Sequence, residues 1–443
     1  MEKEKLKTKI ANLYSLDSLL MLLNEVKNNE EYNITLENLR YYSNPNRTYK
    51  RYYTFAIKKS NGTKRVIFSP HLALKEIQHR LNIIFKILYT PSENATGFAV
   101  GKSIVTNAQR HTNKNYVFNV DLEDFFTNIP QARIWKRLQL PPFNFKMPIV
   151  NAIAGLCSIK LFPSEHTKKD EVCYVLPQGA PTSPILSNAI CDTLDRRLNG
   201  LSKKFNATYT RYADDISFSS MHNIYNYDSE FIQELYRIIE EQGFTINHTK
   251  TRLQKLGSKQ EVTGLTVCKK VNVNKKYIRS IRQLLYIWNK HGVFEAEKCY
   301  TRYLEKNNII IKDIPNLRHI LKGKLEYIKM VKGETDSVYL NLINKYEQVL
   351  QRKSLAFVKT ITLSDFEKKH GEIHFIEDEN GHRYAYYKKG KKRVKLLSVS
   401  HNINIKCIDK ATLYISKCQR EDKSIFFLIH KAHKPSLDTS SLN

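Results

Sequence analysis

The stretch that most restricts how this chain can fold runs Tyr209-Thr-Arg-Tyr-Ala-Asp-Asp-Ile-Ser-Phe-Ser. Aromatic and β-branched residues on both sides of the acidic pair read as a hairpin from Tyr209 to Ser219. Asp214 and Asp215 therefore fall among Tyr212, Ala213, Ile216 and Phe218, where burial is expected. Adjacent carboxylates repel, and a desolvated acid is costly unless a cation neutralises it. A surface turn, which accepts an Asp-Asp pair freely, is the competing explanation; the apolar flanks argue against it. A third acid, Asp121, ends a second apolar strand, Tyr116-Val-Phe-Asn-Val. Magnesium takes oxygen ligands and keeps waters. Two or three carboxylates, with a substrate's phosphates, can therefore hold a pair of ions about 3.5–4 Å apart. Asp121, Asp214 and Asp215 are the candidate ligands for such a pair, the arrangement that nucleotidyl transfer needs.

Charge points the same way. The 443 residues carry a formal net charge of +29. That excess repels itself in a folded chain, and a polyanionic partner is the commonest reason to keep it. Nucleic acid is favoured because Lys and Arg recur throughout, interleaved with 26 Tyr and 20 Phe. A membrane surface is the rival, but no basic amphipathic helix stands apart to serve it. With 41% apolar residues the chain can bury a sizeable core, and its length fits two or three lobes. The opening Met1-Glu-Lys-Glu-Lys-Leu-Lys shows no apolar signal region, and no apolar run approaches the roughly 20 residues that cross a bilayer. Seven cysteines without a Cys-x-x-Cys pair fit reduced thiols and a cytoplasmic setting. Cys407, Cys418, His430 and His433 match no zinc module in their spacing.

Along the chain, Ser15 is placed to cap a helix from Leu16 to Val26 whose Leu19, Leu20, Leu22 and Leu23 form an apolar face. Arg51 to Lys58 and Lys64 to Pro70 flank Ser60-Asn-Gly-Thr, a hairpin with an Asn-Gly turn. A helix over His71 to Leu88 points Leu74, Ile77, Leu81 and Ile84 or Phe85 inward. From Tyr116 to Val267 strands and helices alternate. They include a strand over Tyr116–Leu122, a helix over Pro184–Leu201, and a helix over Phe231–Gln242 that Gly243 ends. Val271 to Tyr346 reads as mostly helical, with Ile278, Ile281, Leu285 and Ile287 inward. Past Leu350, short β runs separated by charged turns predict a small β-rich domain, and Lys434 to Asn443 form a polar end.

Five short segments carry a family resemblance. Tyr212-Ala-Asp-Asp resembles the Y-A-D-D box of reverse transcriptases, and Asn119-Val-Asp-Leu-Glu-Asp-Phe-Phe resembles their first catalytic motif. Leu176-Pro-Gln-Gly-Ala-Pro-Thr-Ser-Pro, lying between them, is similar to the segment beside the incoming nucleotide. Asn107-Ala-Gln-Arg-His resembles the N-A-x-x-H element of bacterial retron enzymes, and Val262-Thr-Gly-Leu-Thr-Val their V-T-G element. Together these make roughly residues 50 to 345 resemble a bacterial retron-type reverse transcriptase.

That resemblance implies an α+β right-hand polymerase fold of fingers, palm and thumb. It assigns a helical segment to 1–48, fingers to 49–115, a palm with a fingers insert to 116–268, a helical thumb to 269–350, and a basic β-rich domain to 351–443. It implies RNA-directed DNA synthesis with two Mg2+ ions, or Mn2+ in their place, on Asp121 and Asp214, with Asp215 a less direct acid. The Leu122 carbonyl would be a further ligand, and the backbone after Asp121 would hold the triphosphate. Phe126 matches the bulky residue that excludes a ribose 2′-OH. Gln178 and Gly179 would pack on the nucleotide, Lys59 and Arg65 would hold phosphates, and Lys250 is a candidate to protonate pyrophosphate. Plainer roles stay open: Phe126 as core, Lys250 as a solvated cation, His111 as a core hydrogen-bond partner, Gly264 as a turn residue.

Asn107, His111, Val262, Thr263 and Gly264 would serve recognition of a dedicated noncoding RNA. Lys322, Lys324 and Lys329, on a helix with an apolar opposite face, would track an A-form duplex by its backbone. The implied partners are that RNA as template and primer source through a guanosine 2′-OH, dNTPs, the DNA product and its RNA–DNA hybrid, and an effector protein in anti-phage defence. No membrane is implied. The tail after Leu350 is longer than in the shortest retron polymerases. It leaves open a defence-associated reverse transcriptase with protein-primed or template-independent synthesis. A non-catalytic RNA-binding scaffold is the alternative of another class, disfavoured by the intact acids. No Cys/His endonuclease module follows the thumb, which disfavours an intron maturase.

Overall fold

The computed structural model describes residues 3–26, 32–58, 64–162, 171–307, 309, 316–351, 357–377, 383–389, 392–398, 413–419 and 425–431. Its contacts divide the chain into two compact units, 1–274 and 275–443. Among the described residues, no helix is long and apolar enough to cross a membrane.

The first unit opens with three helices, α1 (Lys3–Ala11), α2 (Leu16–Glu25) and α3 (Leu36–Ser43). Ser15 caps α2 in a reciprocal box with Ser18, and Leu19, Leu22 and Leu23 are buried while Leu20 is partly so. Strands β1 (Tyr52–Lys58) and β2 (Lys64–Pro70) pair antiparallel with Lys58 opposite Lys64. The Asn61-Gly62 turn expected between them lies outside the described residues. Helix α4 (Leu72–Leu88) buries Leu74, Ile77, Leu81, Ile84 and Phe85 completely. Its buried Arg80 pairs with Glu76 at 2.9 Å and reaches Asn24 at 2.6 Å, which fastens α4 to the N-terminal helices.

Then come α5 (Ile104–Gln109), β3 (Tyr116–Asp121), α6 (Gln131–Gln139), α7 (Ile149–Leu156), β4 (Ile159–Leu161), β5 (Cys173–Val175), α8 (Ser183–Ile190) and α9 (Asp192–Lys204). They are followed by β6 (Thr208–Tyr212), β7 (Asp215–Ser220), α10 (Glu230–Glu241), β8 (Arg252–Lys255), β9 (Glu261–Val262), β10 (Leu265–Val267) and β11 (Val271–Asn272). The helix expected over Pro184–Leu201 is two helices, broken at Cys191. Asp192 starts the second, where a carboxylate suits a helix N-terminus, and it accepts hydrogen bonds from Tyr89 at 2.5 Å and Arg137 at 2.9 Å.

The central sheet has the order β6-β7-β3-β8, and every neighbouring pair is antiparallel. Strand alternation gives it two different faces. Phe118, Val120, Tyr209, Ile216 and Phe218 enter the main core together with Phe231 and Leu235 of α10. The opposite face carries Asn119, Thr210, Ser217, Ser219 and Gln254, all buried and polar. Such a face is tolerable only if its groups bond to one another, and they do. Asn119 donates to Ser217 at 3.0 Å and accepts from Gln254 at 2.6 Å. The acids sit at the end of this polar face.

The second unit holds α11 (Lys275–His291), α12 (Val293–Lys306), α13 (Leu317–Lys332) and α14 (Ser337–Gln351). Helix α11 buries Ile281, Leu284 and Leu285. Ile278 and Ile287, expected inward, are only half-buried, because the 281-284-285 stripe already fills the packed side of the helix. The tail contains β12 (Phe357–Thr362), α15 (Leu363–His370), β13 (Ile373–Glu377), β14 (Arg383–Lys389), β15 (Lys392–Ser398), β16 (Leu413–Gln419) and β17 (Ile425–Lys431). Two antiparallel three-stranded sheets, β12-β16-β17 and β13-β14-β15, surround a small core that includes Phe366 of α15. Cys407, His433 and the end from Lys434 to Asn443 lie outside the described residues. Cys418 and His430 fall on β16 and β17.

Candidate active site

Pairing of β3 with β7 sets Asp121 directly opposite Asp215. Pairing of β6 with β7 sets Tyr212 opposite Asp215, so Ala213 and Asp214 form a two-residue turn. Ala213 takes φ +57°, as a tight hairpin turn requires. The Leu122 N–H donates to the Asp214 carbonyl at 3.0 Å, and the Asn247 N–H to the Asp121 carbonyl at 2.8 Å. Backbone register thus brings Asp121 beside the adjacent pair Asp214 and Asp215.

Their electrostatics record the crowding. Burial and the nearby Asp121 carboxylate raise the pKa of Asp214, opposed by Lys250 and Arg65. Asp215 is pushed up to about 7 by burial first, then by Asp214 and Asp121, with Asn119 and Arg252 opposing. Lys250 Nζ lies 2.6 Å from Asp121 Oδ2. Carboxylates that resist ionising side by side fit a divalent cation as their missing counter-charge. The oxygen donors of Asp121, Asp214 and Asp215 suit a hard ion. Leu122 buries its side chain, so its backbone alone is available to such a site.

Sequence reasoning missed the support beneath the turn. Arg211 and Asp195, both buried, form a bidentate pair with two contacts of 2.7 Å, and Tyr209 donates to the same carboxylate at 2.7 Å. Arg211 also donates to the Ala213 carbonyl at 3.1 Å, clamping the acidic turn from within. On the outside lies Gly97: a Cβ there would stand 2.7 Å from the Ala213 nitrogen. An arginine inside a strand was the available signal, but nothing in the sequence names its partner.

On the substrate side, Phe126 is half-buried and packs at 5.2 Å from Phe125 and 6.3 Å from Phe98, which itself lies 6.3 Å from Tyr212. Gln178 accepts the Phe68 N–H through its carbonyl at 2.8 Å. Gly179 has φ +121°, and a Cβ there would come within 2.8 Å of the Phe68 carbonyl. The Gln178-Gly179 segment is therefore bound to β2, the strand that carries exposed Arg65. Lys59 lies outside the described residues.

The elements expected to touch RNA need correction. Asn107 and His111 are fully buried. His111 bonds Ser219 and Thr210, each at 2.7 Å, and burial pushes its imidazole down to about 3, so it stays neutral. Asn107 accepts from Thr96 at 2.8 Å and donates to Thr263 at 3.4 Å. Val262 is buried too. All three have their polar or apolar needs met inside the protein and present no surface to a ligand. What reaches solvent is the β9–β10 turn, where Thr263 is half-buried and Gly264 exposed. Both residues have positive φ, +48° and +78°, a strained state for a β-branched residue that the Asn107 bond helps to hold. Among the helix lysines, Lys322 is exposed. Lys324 lies over the Tyr277 ring at 4.7 Å, and Lys329 pairs with Glu334 at 2.8 Å.

Comparison with known proteins bears on this geometry. The family described as reverse transcriptase (RNA-dependent DNA polymerase) matches residues 57–276. The retron Mx65 reverse transcriptase of Myxococcus xanthus is 32% identical over 309 residues, covering 67% of this chain and 65% of that one. The retron Mx162 reverse transcriptase of the same organism is 34% identical over 238 residues, covering 50% and 48%. The retron Ec73 reverse transcriptase of Escherichia coli is 34% identical over 231 residues, covering 48% and 67%. The chain thus spans somewhat less than two thirds of the first relative and about half of the second.

Proposed function

This chain belongs to the family of retron reverse transcriptases, and from that premise we propose that it copies a dedicated structured RNA into DNA. The observation that carries the reading is the register pair Asp121–Asp215 with Asp214 in the adjoining turn, acids whose mutual repulsion calls for cations. Asp121 and Asp214 are assigned as ligands of two Mg2+ ions (Mn2+ in substitution), with Asp215 less direct and the Leu122 carbonyl as a further donor. When bound at these residues, such ions would supply Lewis-acid activation of the primer hydroxyl and neutralise charge on the triphosphate.

The chain's own groups account for the rest. Lys250, held against Asp121 at 2.6 Å, is assigned to give its proton to departing pyrophosphate. Arg65 with Lys59 holds phosphates. Phe126 crowds the sugar so that a 2′-OH does not fit, and Gln178 and Gly179 floor the nucleotide. The fingers are assigned to 49–115, the palm to 116–268 and the thumb to 269–350. The Thr263-Gly264 turn is assigned to the RNA, with Asn107, His111 and Val262 as its buried footing. Lys322 is the foremost backbone contact of the thumb, ahead of Lys324 and Lys329. The RNA serves as template and as primer through a guanosine 2′-OH. The setting is anti-phage defence with an effector protein.

Purified protein with its co-expressed RNA, given Mg2+ and labelled dNTPs, should incorporate label, and Asp214→Asn should lower incorporation at least about a hundredfold. No label incorporated by the parent, with the variant indistinguishable from it, would remove the reading in favour of a scaffold. Ribonuclease should release the DNA from its primer; release by protease alone would indicate a protein hydroxyl as primer.

A further inference from the structure

The tail carries a surface that the polymerase reading does not use. In the β13-β14-β15 sheet, Ile373, Phe375, Ala385 and Tyr387 face the small core with Leu363, Phe366, Leu413, Ile415 and Ile429. The alternate residues His374 and Tyr386 are register partners. Their rings lie 5.2 Å apart at 31°, and both are half-exposed.

The next strand sets cations beside them. Register places Lys395 opposite Tyr386 and Arg393 opposite Lys388, and strand alternation assigns these pairs to one face and the Lys389–Lys392 pair to the other. An irregularity between Ala385 and Tyr386 makes this possible. A regular ladder, continuing from Leu397 opposite Ala385, would have put Leu396 opposite Tyr386 instead. The bulge brings Lys395 into register with Tyr386 and leaves Leu396 as the extra residue, and such bulges commonly re-aim a strand where a site needs it. Lys388, Arg393 and Lys395 are thus the cations whose register positions share the face of Tyr386.

We propose that this face of the tail sheet is a second nucleic-acid site, which binds single-stranded RNA by stacking a base on the His374–Tyr386 pair and holding flanking phosphates with the β14 and β15 cations. Sheet-borne aromatics bordered by positive charge are how single strands are held without sequence preference. A membrane surface would call for an apolar run at these register positions, whereas the partners of Tyr386 and Lys388 are Lys395 and Arg393. The site extends the reading above by giving the enzyme a second grip on its RNA, and it is tested apart from that reading.

The test uses the full chain and a labelled mixed-sequence RNA of about 20 nucleotides, with affinity measured across a KCl series. Replacing Arg393→Glu and Lys395→Glu together should weaken binding at least about tenfold and flatten the log-affinity against log-salt slope by about 1.4, at about 0.7 per phosphate contact. Tyr386→Ala should weaken it roughly fivefold or more, while Tyr386→Phe, which keeps the ring, should bind like the parent. Charge reversal that leaves affinity within twofold overturns the proposal. So does a Tyr386→Phe loss equal to that of Tyr386→Ala, which would mark a dependence on the hydroxyl rather than on a stacked ring, and so does equal competition by duplex RNA. Loss of an acidic protein partner with RNA affinity intact likewise assigns the face elsewhere. Extension of a short preformed RNA–DNA hybrid by the parent is recorded alongside. If the parent shows no extension but these binding changes appear, the surface stands and the polymerase reading falls.

Discussion

At the scale of single residues, Asp215 shows the sharpest conflict between folding and function. Its pKa, pushed up to about 7, means that the folded protein holds a proton that the unfolded chain has released across the interval from about 4 to 7. Stability contributed by this group is therefore greatest below that interval and is lost as pH rises through it. In chelator, Asp215→Asn should flatten this decline and raise unfolding stability at pH 8 by roughly 1–2 kcal/mol, read from denaturant melts at several pH values. The same variant should lose nearly all Mg2+-dependent synthesis. If it is instead less stable than the parent at pH 8, the crowding is not what shifts the group. Asp195 is the opposite case. It touches no candidate substrate but neutralises Arg211 in a dry interior, and breaking such a pair strands a charge. Asp195→Asn should cost about 3–5 kcal/mol, visible as a large drop in Tm, and should loosen the Ala213 turn that Arg211 clamps.

At the scale of elements, the turn between β6 and β7 is held from both sides, and Gly97 is the outer wall. A Cβ placed 2.7 Å from a backbone nitrogen forces a shift, because no flexible side chain is there to yield. Gly97→Ala should therefore move the acidic turn and lower kcat by at least about tenfold, with a smaller effect on Tm than Asp195→Asn. A variant with unchanged kcat would mean that the strand gives way harmlessly. The strands bearing the acids were legible because Tyr116–Val120 and the flanks of Asp214 and Asp215 follow plain strand patterning. The Asn119–Gln254 bond was not, since 135 residues separate its partners and register alone joins them. The inward direction of Asn107 and His111 is not legible, because a short motif marks residues without showing which way they face. The break at Cys191 is not legible because Pro184 to Leu201 keeps helical spacing across it; the Tyr89 and Arg137 bonds to Asp192 accompany the restart. Helix α15 hides among β runs because its eight residues are too few to display a periodicity.

At the scale of the whole molecule, the charge of +29 and the acidic cluster act over different ranges. Surface cations are spread along the chain and meet phosphates through water, where screening at physiological salt sets in within about 8 Å. The acids interact at short range in a largely buried setting, with Lys250 2.6 Å from Asp121, where salt intervenes little. Binding and chemistry should therefore separate in a salt titration. If about seven phosphates are neutralised, raising KCl from 50 to 200 mM should weaken affinity for a single-stranded RNA by about 10³-fold, at about 0.7 per contact. At saturating RNA the turnover rate should change by less than about threefold. Filter binding and steady-state incorporation on one protein preparation give both numbers. Affinity that holds steady while turnover collapses would mean that the excess positive charge serves the acids rather than the RNA, and it would remove the physical reason for reading the basic surface as a nucleic-acid interface.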